Sequence, residues 1–520
     1  MTTRPSGGAH RTGLMRWAFS AWAAVLLAIG LSTLPTGALA QRGYIAPEAA
    51  TGYSEKSLAQ AKSYMVSAAN PLAVEAGVRI LQEGGSAVDA AIAVQLVLNL
   101  VEPQSSGIGG GAFLLHWDAE TKELKSYDGR ETAPAAARPD RFLRDGRRIP
   151  FDEAVHSGLS IGVPGLVRLL EEVHRRHGKL PWARLFEPAI ALAENGFPVS
   201  PRLNLLLTWM GAENFDPAAR RLYFSENGSV WPVGYRLKNP EFAGTLRRIA
   251  EEGAEAFYSG EIAEKIVAAA ANAPNHRGDI TLADLAAYKS VERPPICVIY
   301  RRHRVCGMGP PSSGGIAVAQ TLKLLEPFDL GRGPEAALNP RAMHLIAEAE
   351  KLAFADRDYY IGDPDFVQVP LTLLDSDYLA ARSQLINPNA AMPRPAPGTP
   401  PGVQRQAFGV DATLESVGTS HISVVDAAGN AVSMTTTIES AFGSRVLAAG
   451  FLLNNELTDF SFLPEDAEGR PVANAVAPGK RPRSSMAPTI VFDEAGRVKA
   501  VLGSPGGSRI ILYVVKALIA

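Results

Sequence analysis

The residues with the clearest chemical potential are Gly418-Thr419-Ser420-His421, where a hydroxyl residue follows a glycine and opens an alternating strand. The turn Ala427-Ala428-Gly429-Asn430 then leads into a second strand over 431–438. Cleavage of the Gly418–Thr419 peptide bond would give Thr419 a free α-amine beside its own hydroxyl. That is one way to activate a threonine without a histidine partner. Such an amine, with a reference pKa of ~7.7–8.0, is suited to act as a base near neutral pH. The Thr419 hydroxyl could attack the Gly418 carbonyl, and glycine is expected to let the backbone adopt a strained approach geometry at low steric cost.

Four further groups of polar residues follow. Thr435-Thr436-Thr437-Ile438-Glu439 ends the second strand, and Asn454-Asn455-Glu456-Leu457-Thr458-Asp459-Phe460 follows an apolar strand. Lys480-Arg481-Pro482-Arg483-Ser484-Ser485-Met486-Ala487-Pro488 precedes a strand over 489–492, and Gly503-Ser504-Pro505-Gly506-Gly507-Ser508-Arg509 joins a strand to a helix. Amide N–H groups at a Gly-Gly turn can face an oxyanion because no Cβ obstructs the approach. Singly, each group also reads as surface charge, a turn or a helix-start loop.

Three other patterns carry less. Gly158-Leu159-Ser160-Ile161-Gly162 matches a serine nucleophile elbow, which would make an esterase, but no helix begins at the serine as an elbow requires. Gly107-x-Gly109-x-x-Ala112 lies between a helix and a strand, the reverse of the order a dinucleotide fingerprint needs. His174 and His177 sit among Glu171, Glu172, Arg175 and Arg176 on one helix, which reads as a solvated face rather than a metal site.

The elements that must position these residues alternate between helix and strand. Asn70-Pro71 starts a helix that Gly84-Gly85 ends, and Ser86 caps the next, through Leu98. Gly107-Ile108-Gly109-Gly110-Gly111 leads into a strand over 112–117, and helices are expected over 166–177, 182–195, 240–252 and 340–356. Residues 393–403, continuing to Gly418, read as an exposed Pro/Gly-rich linker. This mixture, with hairpins late in the chain, favours an α+β layered architecture. Cys297 and Cys306 flank a hairpin in which pairing Tyr300 with His303 would set the cysteines opposite each other, either as a disulfide or as two small buried residues.

At the N-terminus Arg4, Arg11 and Arg16 precede an apolar run from Trp17 to about Leu34, and Ala38-Leu39-Ala40 forms a small-x-small cleavage signal. Residues 1–40 therefore read as a secretory signal peptide, implying a periplasmic or secreted protein with no stable membrane span after its removal. A net charge of −2 over 520 residues gives no reason to expect nucleic acid or an anionic membrane as partner.

From about Ser67 onward the chain resembles the γ-glutamyltransferases of the N-terminal-nucleophile hydrolase superfamily. The matching motifs, in order, are Asp128-Gly129-Arg130-Glu131-Thr132-Ala133-Pro134, Pro310-Pro311-Ser312-Ser313-Gly314-Gly315, Thr419-Ser420-His421, and the runs at 454–460, 480–488 and 505–509. The resemblance implies a four-layer αββα sandwich built from two associated chains, 41–418 and 419–520, of a precursor that cleaves itself between Gly418 and Thr419. It implies that Thr419 is the nucleophile, that Thr437 hydrogen-bonds it, and that Gly506 and Gly507 stabilise the oxyanion. Arg130, Ser484 and Ser485 would hold the α-carboxylate of a γ-glutamyl group, and Glu439, Glu456 and Asp459 its α-ammonium, a charge arrangement suited to a small zwitterion. The donor would be glutathione or another γ-glutamyl compound and the acceptor water, an amino acid or a peptide, with no cofactor or metal.

A glutaryl-amide (cephalosporin-type) acylase, a poly-γ-glutamate depolymerase and an unprocessed periplasmic binding protein are the alternatives. The ammonium pocket argues against the acylase. Family members commonly carry threonine where Ser420 stands, and residues 419–520 are about half the length of the family's small chain. The apolar helix over 510–520 is therefore expected to lie under further chain, and the sequence to be a fragment. The loop over 461–473 has the Pro/Gly/acidic content of a mobile lid or of an inert connection.

Overall fold

The computed structural model describes residues 57–331, 333, 339–403, 408–415 and 418–520. The signal peptide expected over 1–40 lies outside them. Among the described residues, two main sheets carry the architecture. Their strands are β1 (Met65–Ser67), β2 (Gly111–Asp118), β3 (Glu123–Gly129), β4 (Val291–Arg293), β5 (Ile296–Tyr300), β6 (His303–Gly307), β7 (Thr419–Val425), β8 (Ala431–Thr437), β9 (Thr489–Phe492) and β10 (Val498–Leu502). One sheet has the order β1-β7-β8-β2-β3-β4 and the other β10-β9-β6-β5. The helices that matter to the site are α1 (Pro71–Gln82), α2 (Ala87–Val101), α3 (Leu166–His177), α4 (Gly314–Leu325), α5 (Pro340–Tyr360) and α6 (Arg509–Ile519).

Side-chain alternation sets the layers. On β2, β7 and β8 the residues Ala112, Leu114, Ile422, Val424, Val432 and Met434 face a core shared with α2 and α3. The intervening Leu115, Trp117 and Ala431 meet Ile490 and Phe492 of β9 between the sheets. Beyond the second sheet, Ile316, Leu322, Leu345, Val491, Ile510 and Val514 join β9, α4, α5 and α6 in another core. The result is helix, sheet, sheet, helix, the αββα sandwich expected. Each fully buried aliphatic side chain in it contributes about 1.5–3 kcal/mol.

Capping follows the sequence closely. Asn70 Oδ1 accepts from Leu72 N–H at 3.1 Å, and Ser86 and Asp89 form a reciprocal capping box at the start of α2. The helix expected over 182–195 divides into a 3-10 turn, Trp182–Phe186, and an α-helix, Glu187–Asn195. Pro188 has no N–H to continue the ladder back into the preceding turn. The helix expected to end at Asp356 runs to Tyr360.

Cys297 and Cys306 are opposite one another across β5 and β6 and are joined by a disulfide, with Tyr300 opposite His303. Arg301 (φ 44°) and Arg302 (φ 76°) both take the left-handed conformation that a two-residue hairpin demands, though neither is a favoured residue there. The linker expected over 393–418 is exposed only in part. Asp411 and Glu415 turn inward to meet Arg483 and Arg357, because two buried guanidinium groups require anions. In α6, Ile510, Ile511, Val514 and Val515 are buried while Tyr513 is exposed.

Candidate active site

The hairpin register brings the first functional pair together. β7 and β8 run antiparallel with Thr419 directly opposite Thr437 and His421 opposite Thr435. The turn between them is held by the Asp426 carboxylate, which accepts from Ala428 and Asn430 N–H groups at 2.9 and 3.0 Å. Strand alternation points Thr419, His421 and Ser423 toward the second sheet, where the Ser423 hydroxyl donates to Val501 O at 3.1 Å. His421 is a structural residue. It bonds Thr435 and Ser423 hydroxyls at 2.9 and 3.0 Å, Gly503 packs against its ring, and burial pulls its pKa down to about 3.

Two expectations about the scissile bond need correction. Gly418 does not adopt a left-handed φ, so backbone strain is not why glycine stands there. A Cβ at Gly418 would lie 2.3 Å from Glu439 O and 2.8 Å from Ser440 C, so the position admits glycine alone because another backbone passes against it. The Thr437 hydroxyl, expected to bond Thr419, instead donates to the Gly418 carbonyl oxygen at 2.7 Å and accepts from Glu439 N–H at 2.7 Å. With its single proton so committed, it polarises the carbonyl rather than the nucleophile.

Gly506 (φ 135°) and Gly507 (φ 56°) form the turn between β10 and α6, in conformations that a side chain disfavours. Among the described residues their amide N–H groups meet no acceptor, although their carbonyls accept from Arg509 and Ile510. Gly507 lines the same cleft as Thr419, with Arg130, Glu415, Thr437, Glu439, Glu456, Asp459, Ser484 and Ser485. All these elements converge on one place, as the motifs require.

The expected separation of a cationic end from an anionic end is not found. Arg130, buried just beyond β3, donates to Glu456 and Asp459 and also to the carbonyls of Pro482 and Arg483 at 3.1 and 2.9 Å. Four of its five N–H groups are therefore engaged. Glu456 and Asp459 lie on the 3-10 turn Glu456–Asp459. Glu439 (φ 75°) lies just past β8, where it accepts from the Ser440 hydroxyl at 2.6 Å and from the Asn455 side chain. A non-glycine residue in that region costs about 1–2 kcal/mol, held here by the surrounding bonds.

Burial pushes Glu439 well above the usual carboxylate range, reinforced by Asp459 and Glu456, and raises Glu456 similarly against the pull of Arg130. Burial also raises Asp459 to about 6 and Glu131 to about 7, in both cases opposed by Arg130. Glu131 lies beside Glu456, and one proton shared between them accounts for Glu456 Oε2 and the Glu131 carboxyl oxygens, which otherwise lack a donor.

The segment carrying Ser484 and Ser485 is clamped by the 310–315 motif. Ser313 N–H and Oγ–H both donate to Ser484 O at 2.7 Å, the Ser312 hydroxyl donates to Met486 O at 2.5 Å, and Ser484 N–H donates to Pro311 O at 3.1 Å. Gly109, of the Gly107-x-Gly109-x-x-Ala112 pattern, and its neighbour Gly110 pack directly on Leu452 O and Thr437 O and have no room for side chains.

Several other residues are excluded or relocated. The Ser160 hydroxyl is fully buried and directed at the carbonyls of Val155 and Ser157, which removes the esterase reading. His177 bonds the Tyr127 hydroxyl at 2.7 Å and His174 bonds Leu180 O at 2.9 Å, so both are structural. The loop over 461–473 lines a neighbouring cavity of about 380 Å³, with Phe151 and Val410, rather than the Thr419 cleft.

Arg357, Glu415 and Glu131 entered the site without being anticipated. The one signal for Arg357 was the charged run Asp356-Arg357-Asp358 inside an otherwise core-forming helix. Glu415 was hidden by its position in a segment read as a linker.

Comparison with known proteins is consistent with this geometry. The family model described as gamma-glutamyltranspeptidase matches residues 73–520. The glutathione hydrolase proenzyme of Bacillus subtilis (strain 168) is 40% identical, over 88% of this chain and 77% of its own length. Among solved structures, the cephalosporin acylase from Bacillus halodurans is similar with a TM-score of 0.77 and 29% identity, covering 90% of this chain and 81% of that one. Helicobacter pylori gamma-glutamyltranspeptidase is similar with a TM-score of 0.62 and 34% identity, covering 66% of this chain and 97% of that one. The match along the chain, together with a threonine-centred cleft between two sheets, establishes that this chain belongs to the γ-glutamyltranspeptidase family.

Proposed function

We infer that the chain is the precursor of a glutathione hydrolase/γ-glutamyltransferase, exported by residues 1–40 and cleaved between Gly418 and Thr419 into two chains that stay associated. In the first step Thr419 Oγ attacks the Gly418 carbonyl carbon, its proton passes to the departing Thr419 nitrogen, and an ester replaces the peptide bond. Water then hydrolyses that ester, leaving a carboxylate on Gly418 and a free amine and hydroxyl on Thr419. The Thr437 hydroxyl stabilises the oxyanion of the first step from its place on the Gly418 oxygen.

The freed amine then serves as the base for Thr419 Oγ attacking a γ-glutamyl amide. Gly506 and Gly507 N–H groups would stabilise the tetrahedral oxygen, the leaving amine would take the proton, and a γ-glutamyl ester would remain on Thr419. Water or an acceptor amine would release it. The substrate's α-ammonium would sit among Glu439, Glu456 and Asp459, with its carboxylate toward Ser484 and Ser485.

The observation that carries this reading is the buried carboxylate cluster on the Thr419 cleft. Carboxylates held above their ordinary pKa by burial and mutual repulsion are relieved by an incoming ammonium, which a glutaryl group does not have. The test is turnover by the cleaved protein. Release from a γ-glutamyl anilide, with at least tenfold less from the glutaryl anilide, is expected. Equal or preferred use of the glutaryl anilide would show the acylase to be the better description.

A further inference from the structure

The peptide bond before Thr419 has one well-fixed side. Thr419 is held in the β7–β8 register, and the Gly418 carbonyl oxygen accepts from the Thr437 hydroxyl at 2.7 Å. On the other side, residues 408–415 belong to no helix and contribute only an isolated bridge at Gly409. Left free, such a segment keeps many backbone conformers, and the Gly418 carbonyl would meet the Thr419 hydroxyl in only a fraction of them.

Side chains supply the missing constraint. The Asp411 carboxylate accepts from Asn474 Nδ2 at 3.0 Å and pairs with Arg483 at 2.9 Å. Glu415, three residues before Gly418, is held at both oxygens. Its Oε2 accepts from the Ser485 hydroxyl at 2.7 Å and its Oε1 from Arg357 Nη2, which also donates to Ser485 Oγ at 2.7 Å. A nitrogen of Arg483 lies 3.8 Å from Oε1. Burial alone would raise the Glu415 carboxyl, but Arg357 and Arg483 hold it below its ordinary value, so it stays charged.

Arg357 is itself fixed. Its side chain is 3% exposed, with Nε donating to the Ser313 hydroxyl at 2.8 Å and Nη1 to Asp358 at 2.7 Å. Ion pairs buried this deeply add little net stability, because desolvation offsets their attraction, and their best-attested use is to specify one register. Three residues of chain span at most about 10–11 Å, so fixing Glu415 confines where Gly418 can lie.

We propose that Glu415 is a positioning residue for self-cleavage: its ion pair with Arg357 anchors the upstream side of the scissile bond and so presents the Gly418 carbonyl to Thr419 Oγ. This rests on the self-cleavage read above. The bond that forms, Thr419 Oγ to the Gly418 carbonyl carbon, and the C–N bond that breaks are those already described. Glu415 takes no proton in either step and acts by geometry alone.

The test follows loss of the precursor in freshly translated chain on a denaturing gel. The half-time should lengthen about tenfold or more in Glu415→Gln, with Glu415→Asp intermediate. Arg357→Gln should also slow cleavage, and adding Glu415→Gln to it should slow it no further, because both remove the same ion pair. Acetate added to Glu415→Ala refills the anion site without restoring the tether, so cleavage should stay slow. Should the glutamine variant fail to fold, the aspartate variant alone must be measurably slower than wild type. Cleavage of Glu415→Gln at the wild-type rate, additive losses in the double variant, or restoration by acetate overturns the assignment and leaves Glu415 a counter-ion for Arg357. A wild-type chain that stays intact refutes the self-cleavage reading, and this assignment with it.

Discussion

Thr437→Val isolates the self-cleavage step. Valine keeps the β-branched shape on the fully buried β8 and removes only the hydroxyl. Two bonds are lost, the 2.7 Å bond donated to the scissile carbonyl and the 2.7 Å bond accepted from Glu439 N–H. Loss of the second leaves a buried N–H unpaired at about 1–3 kcal/mol. That cost falls on ground and transition states alike, so it lowers stability without slowing cleavage. Loss of the first removes a donor from the oxygen on which negative charge develops, a change of about 10²–10³ in rate, or about 2.7–4 kcal/mol. A time course of freshly translated chain on a denaturing gel measures it. The half-time of precursor loss should lengthen about 10²–10³-fold in Thr437→Val. Thr437→Ser, which keeps the donor, should stay within about tenfold of wild type. Cleavage of Thr437→Val at the wild-type rate would refute the role, and so would a serine variant as slow as the valine one.

In a Thr419→Ala background, which holds the chain uncleaved, Gly418→Ala should lower the melting temperature by the equivalent of about 1–3 kcal/mol, the usual range for overpacking. Its Cβ would lie 2.3 Å from Glu439 O, so unchanged melting would show that the backbone there can yield. Because burial raises Asp459 to about 6 and holds Glu439 well above the usual carboxylate range, protonation as pH falls from 8 to 5 removes charge facing the ammonium. KM for a γ-glutamyl anilide should therefore rise over that interval, and Asp459→Asn should have a higher KM with a flatter pH dependence. Glu131, raised to about 7 by burial, binds its proton more tightly folded than unfolded. Its contribution to stability is thus full below the unfolded pKa of ~4.3 and declines as pH rises to about 7, by roughly 3 kcal/mol. Melting of Glu131→Gln across pH 4–8 should show a shallower decline than wild type.

The sequence was most informative where chemistry and local structure coincide. The Thr419 hairpin, the capping residues of α1 and α2, and the cysteine register are consequences of turn chemistry and strand period, and each has the expected pairing. The site residues were recognisable as motifs, and Gly507, Arg130, the paired serines and the three carboxylates do line the Thr419 cleft.

What motifs could not convey was how these groups bond to one another. Arg130 lies among the carboxylates instead of opposite them, and the Thr437 hydroxyl bonds a carbonyl instead of the nucleophile. Both depend on which donor finds which acceptor after packing. The reason for glycine at 418 is likewise tertiary, a backbone close approach that only the folded chain reveals. Glu415 and Arg357 were missed because their pairing joins a Pro/Gly-rich segment to a helix far away in sequence, and neither shows a local pattern.

The most direct test is the intact mass of the separated chains after a brief reaction with a γ-glutamyl anilide and an acid quench. A small chain beginning at Thr419, part of it heavier by one γ-glutamyl group on that residue, is the predicted result. A single uncleaved chain, or a γ-glutamyl group attached elsewhere, would contradict it.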